Sequence, residues 1–270
     1  MQNAQTEKVF SLSAVALSVL TAALAEGTQA GVSVRGMVVY GAAQASLLTL
    51  LSAVLYACWQ KAGHAAQQAW LFAAGIWLLA QLCGTALQAQ TVCRQEFRSM
   101  ALVGLLPLLL WAGWKIAPDG WNAPARVLWW FAVLGILVGL VGTAGQMRWA
   151  HLLTSDAMQL ARCPHAALYA EYLVWPVLCP AADPRRAVLL PWLAFLAQAG
   201  LAGGMCLVFG ATDYPEQELL RAWSVGVFSR MDAMLLLLWL TCAVFRIGAL
   251  CAAVRMLWRQ AFQGRRGAAQ

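Results

Sequence analysis

Eight long apolar runs separated by short polar breaks leave this chain few ways to fold. They cover approximately residues 9–25, 37–59, 69–91, 99–117, 126–147, 157–179, 187–210 and 231–257. A helix needs about 20 apolar residues to cross a hydrocarbon core about 30 Å thick, and each run reaches or approaches that length. In lipid every backbone polar group must be satisfied internally, which restricts spanning structures to helices and closed barrels. Barrel strands alternate apolar and polar residues over roughly ten positions, whereas these runs are continuous. The expected fold is all-α, a polytopic membrane helix bundle of about eight transmembrane helices. It forms a single transmembrane domain over 1–270 with a basic cytoplasmic tail at 258–270.

Composition agrees. Hydrophobic residues make up 62% of the chain and charged residues 11%, with a mean hydropathy of +0.67. A soluble domain is nearer 45–50% apolar and about 25% charged, and disordered chains are poorer still in apolar residues. The net charge of +7 is carried by basic residues scattered between the runs. A nucleic-acid surface clusters them on one face, so no nucleic-acid partner is expected; the lipid bilayer is.

The basic residues instead report orientation. With the N-terminus cytoplasmic, that side carries Lys8, Lys61, Lys115, Arg126, Arg185, Arg186, Arg255, Arg259, Arg265 and Arg266. The other side carries Arg35, Arg94, Arg98, Arg148, Arg162, Arg221 and Arg230. Trp59, Trp70, Trp111, Trp114, Trp129, Trp130, Trp192 and Trp258 fall at cytoplasmic ends, as an interfacial belt does. Both termini are therefore expected inside. The first run has a second reading, because Lys8 and Ala23-Leu24-Ala25 also fit a cleaved signal peptide.

Chemistry-bearing motifs are scarce. The eight cysteines are dispersed without a CxxC pair, and free cysteine in an apolar run packs as a small hydrophobe. His64, His151 and His165 have no metal-ligand spacing, so no metal or cofactor is expected. No nucleophile–base pair or phosphate loop points to an enzyme. Gly135, Gly139, Gly142 and Gly145 in the fifth run, with Gly200 and Gly204 in the seventh, read as close-packing seams.

The sixth run is unusual. Only thirteen residues separate His165 from Cys179, about 20 Å of helix, and Pro164, Pro176 and Pro180 interrupt it. Irregular backbone at membrane depth persists only where it lines a cavity or is buried in protein, and such broken segments point to transporter binding sites. The first run, with Ser11, Ser13, Ser18 and Thr21, is its natural counterpart. Glu171 is the one acidic residue deep inside an apolar run, and an ionisable group there costs at least ~2.5–3.5 kcal/mol on insertion scales. Arg246 lies near the middle of the last run, nine residues before Arg255. It is the expected partner of Glu171, with Asp232 a weaker candidate near the outer end. The pair reads either as a fixed structural bridge or as two halves of a site for a zwitterion; Glu171 also reads as an interfacial carboxylate if the segment lies shallow. Gln81, Gln88 and Gln90 are expected to face the bundle interior. Asp213 and Glu216 have capping-box spacing, opening a short amphipathic helix at 218–228.

The stretch from Tyr214 to Trp258 resembles the permease-like B subunits of spore germinant receptors. That family has a proline near an acidic residue, an arginine, a phenylalanine-arginine-acidic turn, and then a tryptophan with a basic residue seven positions on. Pro215, Glu218, Arg221, Phe228, Arg230, Asp232, Trp239 and Arg246 occupy those places. Upstream, residues 169–187 are similar to the family's sixth span, with Glu171, Pro180, Asp183, Pro184, Arg185 and Arg186 in the matching positions. The resemblance is specific over 165–258 and rests on hydropathy over 37–150. It implies an incomplete amino-acid-permease fold of inverted five-helix repeats, with a ligand site between spans one, six and eight. Ser13, Ser18, Tyr169, Glu171 and Arg246 then hold a small polar ligand such as an amino acid, while Pro176, Pro180, Asp232 and Trp239 serve gating or structure. Implied partners are an A-type membrane subunit and a C-type lipoprotein. Two features depart from the family. Its last two helices have no counterpart before Gln270, and Ala14 and Ala16 stand where its first span has small glycines. An ion-coupled amino acid transporter and a degenerate scaffold without ligand are the alternative readings.

Overall fold

The computed structural model describes residues 9–26, 34–150, 169–209 and 231–267, and among these every regular element is helical. In chain order they are α1 (Leu12–Glu26), α2 (Val34–Lys61), α3 (His64–Glu96), α4 (Ala101–Lys115), α5 (Asn122–Thr143), α6 (Ala170–Leu173), α7 (Trp175–Leu178), α8 (Pro184–Ala187), α9 (Leu190–Phe209) and α10 (Met231–Gly267). Short 3-10 turns at Pro118–Trp121 and Ala144–Gln146 flank α5. Among the described residues four helices are long and apolar enough to cross a membrane, within Val38–Lys61, His64–Glu96, Pro118–Thr143 and Met234–Phe262.

The shorter helices have local causes. Residues ahead of α1 are pulled out of helix by long-range bonds: Asn122 Nδ2 donates to the Val9 carbonyl (3.1 Å), and Ser11 N–H donates to Asn122 Oδ1 (2.6 Å). Between them Phe10 N–H donates to the Leu178 carbonyl (3.0 Å). Helix α4 stops at Lys115 because Ala117 precedes Pro118 and adopts the extended conformation that position favours. Fifteen residues, the length of α1 and of α4, make about 22 Å of helix, short of a 30 Å core.

Helix α1, which the sequence leaves open as span or leader, is the most enclosed element. Ala14 through Ala23 are all buried, and a helix apolar on every side belongs in an interior. It packs against α5, α6, α9 and α10. Helix α10 has its broadest contact with α3, where Leu71, Ala74, Leu78, Leu82, Thr85, Ala89 and Val92 form a buried stripe at three- and four-residue spacing. The outer faces of α2 to α5 carry exposed Leu50, Ile76, Leu105, Trp111, Trp130 and Val141. That much exposed apolar surface suits lipid contact.

Glycines set several close approaches, and three of those made with α10 are at positions the sequence does not single out. A Cβ at Gly75 would collide with the Trp258 ring, one at Gly248 with the Trp121 ring, and one at Gly113 would lie 2.7 Å from the Gly248 carbonyl oxygen. Helix α10 thus approaches α3, the 3-10 turn before α5, and α4 through side chains reduced to hydrogen. Gly135 does receive α10, through Leu238 and Leu235, but Gly200 makes only ordinary contact with Leu140 and Gly145 faces open space. Arg255 adds a polar clasp by donating to the carbonyls of Trp114 and Ile116 at the end of α4.

Gly113→Ala meets backbone that cannot rotate away and is expected to cost about 1–3 kcal/mol by overpacking. Gly84→Ala has nothing within 4 Å and is expected to stay within ~0.5 kcal/mol of the parent. Thermal unfolding of the two purified variants in detergent checks the contrast.

Candidate functional site

The site begins with the break after α6. Tyr169, extended at φ −61° and ψ 98°, caps α6, and Val174 (φ −99°, ψ 6°) separates it from α7. Pro176 falls in the first turn of α7, where a missing N–H is tolerated. The proline still deprives the Tyr172 carbonyl of its helical donor four residues on. Val177 N–H turns to the Val174 carbonyl (3.0 Å), so Leu173 loses its donor as well. The break is held from outside by α2, where Trp175 Nε1 donates to Ser52 Oγ (3.0 Å) and the Trp175 ring stacks on Tyr56 at 5.8 Å. Beyond α7, Pro180 leads into a turn in which the Asp183 side chain caps α8 by accepting from Arg185 N–H (3.0 Å), with Pro184 at the first helical position.

The broken segment carries Glu171 into the interior at 2% exposure, beside α1, α2 and α3. Arg246, also 2% exposed, comes from α10 and pairs with it, Nη2 to Oε1 at 2.8 Å. Arg246 lies twelve residues inside the start of the apolar stretch Met234–Phe262, about 18 Å along the helix, too deep for its head to reach water. Ser18 of α1 joins both: its hydroxyl donates to Glu171 Oε1 (2.9 Å) and accepts from Arg246 Nε (3.3 Å). Arg246 Nε also donates to Glu171 Oε1 (3.1 Å). Helix α3 supplies the other acceptors, Thr85 Oγ1 to Nη1 (2.5 Å) and Gln81 Oε1 to Nη2 (3.2 Å). Thr85 passes its own proton back to the Gln81 carbonyl (2.9 Å). One charge pair therefore ties together α1, α3, α6 and α10.

The residues proposed from sequence divide clearly. Ser18, Glu171 and Arg246 meet. Tyr169 is buried at the start of α6. Ser13 does not join them. Its hydroxyl bonds Ser11 (2.8 Å) at the start of α1, because five residues of helix turn it about 140° away from Ser18. Trp239 packs with Ala89, Leu102 and Ala243, about 10 Å along α10 from Arg246. Asp232 is fourteen residues from Arg246 on the same helix, about 21 Å, which rules out their pairing; its side chain lies outside the described residues. So do residues 151–168, with His151, Pro164 and His165, and the proposed helix at 218–228 with its cap.

One of the three glutamines also corrects the sequence reading. Gln81 reaches the pair, but Gln88 is exposed on the flank of the buried stripe of α3. Gln90 sits near the end of that helix, where it donates to the Ser99 carbonyl (3.3 Å). Thr85 was missed, although its position four residues after Gln81 puts both on one helix face. Gln198, also missed, donates to the Ala23 carbonyl (2.7 Å) and binds α9 to the last turn of α1. Among the described residues no three His, Cys, Asp or Glu side chains gather as metal ligands.

No protein-family model, curated protein or solved structure matches the chain. The arrangement itself defines a class of site: an ion pair buried in an apolar helical bundle, at a broken helix, bridged by hydroxyls from two further helices.

Removing one partner of such a pair leaves a buried charge alone and costs about 3–5 kcal/mol. Arg246→Ala is expected to lose that much stability, Ser18→Ala about 1 kcal/mol, and Ser13→Ala almost none. Thermal unfolding of the three variants in one detergent tests the ranking.

Proposed function

We propose that the chain is the permease-like membrane subunit of a nutrient receptor of the spore germinant type. In this reading it senses a small polar ligand such as an amino acid and passes a conformational change to an A-type membrane subunit and a C-type lipoprotein. The observation that supports it is the meeting of Glu171, Arg246 and Ser18, which come from the sixth, eighth and first apolar runs. Those are the three spans between which the family resemblance implies a ligand site.

The chemistry is suited to sensing. An ion pair held in hydrocarbon has two stable conditions, closed on itself or opened by a competing polar group, and intermediate separations leave charge unpaired. The helix break beside it supplies backbone that can move, since α6 and α7 are four residues each and joined only through Val174. A ligand that stabilises the open condition shifts the population by its differential affinity for the two. In this reading the eight runs form an incomplete amino-acid-permease bundle, both termini lie in the cytoplasm, and the bilayer is the bacterial cytoplasmic membrane or spore inner membrane.

The test is reconstitution with both partner subunits in a spore-forming host. Glu171→Gln and Arg246→Gln are expected to reach the membrane and co-purify with the partners while the nutrient response falls at least tenfold. An unchanged response with either variant overturns the reading. Accumulation of a labelled amino acid by proteoliposomes holding this chain alone would replace it with an ion-coupled transporter.

A further inference from the structure

The two oxygens of Glu171 are used unequally. Oε1 accepts from Ser18 Oγ (2.9 Å), Arg246 Nε (3.1 Å) and Arg246 Nη2 (2.8 Å). Oε2 is equally buried and accepts from no donor among the described residues. Arginine–carboxylate pairs are frequently bidentate, with both oxygens engaged. Here both near donors of the guanidinium converge on one oxygen, and the second keeps its lone pairs.

Arg246 shows the opposite condition. A guanidinium has five N–H donors and no acceptor. Nε is shared between Ser18 and Glu171, both hydrogens of Nη2 have acceptors in Gln81 and Glu171, and Nη1 donates to Thr85. Four of its five hydrogens are thus committed to protein. A ligand carboxylate arriving at Arg246 would bring acceptors to a group with a single hydrogen to spare, and would also meet the charge of Glu171. An ammonium brings three donors to an oxygen that has none.

Resting on the sensing reading above, we infer that the site recognises the ammonium end of its amino acid ligand through Glu171 Oε2. Arg246 is then a positioning residue that holds the carboxylate until the ammonium competes for it, and it does not read the ligand's own carboxylate. A zwitterion adds no net charge to the neutral pair, which suits a low-dielectric interior where each uncompensated charge is expensive. The break at Val174 contributes in the same sense, because the Leu173 carbonyl that loses its helical donor there is a further acceptor on the same short segment.

The experiment measures binding of neutral L-amino acids to the full chain in nanodiscs, alone and with its partner subunits. Each amino acid that binds is compared with its primary amide and with its des-amino acid. The amide keeps the ammonium and the des-amino acid keeps the carboxylate, and each carries one net charge, so their ratio reports which end is recognised. The amide is expected to bind at least tenfold more tightly than the des-amino acid, and Glu171→Gln, which puts an N–H donor where Oε2 was, to abolish that preference. Should Glu171→Gln fail to fold, the order of the two analogues on the parent chain decides alone. A des-amino acid that binds as well as the amide, or better, overturns the ammonium assignment and leaves the sensing reading standing. If no amino acid binds in either setting, the sensing reading falls and this inference falls with it.

Discussion

A carboxylate and a guanidinium withdrawn from water together are the constraint around which the rest of this molecule is arranged. Either charge alone in hydrocarbon would be costly enough to change the fold or its own ionisation. Together, with two hydroxyls and an amide around them, Glu171 and Arg246 form a neutral cluster that the bundle tolerates. Because its members come from α1, α3, α6 and α10, the cluster also fixes the register of four helices that otherwise meet through interchangeable aliphatic surfaces. Apolar contacts provide no such specificity inside a membrane, where lipid tails compete with side chains on equal terms.

The broken helix follows from that constraint. A regular span through α6 and α7 would have kept its carbonyls satisfied and left Glu171 wherever helical phase put it. Pro176 and the turn at Val174 give up some of that order, and the loss is contained because the segment is enclosed by α1, α2 and α3. Trp175 anchors it to Ser52 and Tyr56 of α2, while Leu178 receives the extended residues ahead of α1. The two irregular stretches of the core, 9–11 and 174–180, thus lean on each other, and the first leans also on Asn122.

Parts of this were legible in the sequence for physical reasons. Continuous apolar runs are a strong signal, since hydrocarbon thickness fixes their length, and isolated charges within such runs are rare enough that Glu171 and Arg246 select each other. Pro176 and Pro180, four residues apart, mark the break in the sequence itself. What escaped was rotational phase and long-range pairing. Run length does not reveal that α1 is central while the equally short α4 is peripheral. Composition does not separate Gln81, which reaches Arg246, from Gln88, which lies about 10 Å further along α3 and does not. Ser13 and Ser18 look alike in a list of hydroxyls, and the helical twist between them sends only one to the pair. The fit of Trp258 over Gly75 and of Trp121 over Gly248 depends on helix crossings that no single segment encodes.

The account depends most on Glu171 and Arg246 being one interaction, and a double-mutant cycle measures that coupling directly. Stability of the parent, Glu171→Gln, Arg246→Gln and the double variant would be compared by reversible unfolding in a fixed bilayer mimetic. Contacting residues in one polar network couple by about 0.5–3 kcal/mol, and the buried geometry here predicts the upper part of that range, with the double variant more stable than the sum of single losses allows. Simple additivity, a coupling indistinguishable from zero, would contradict the account.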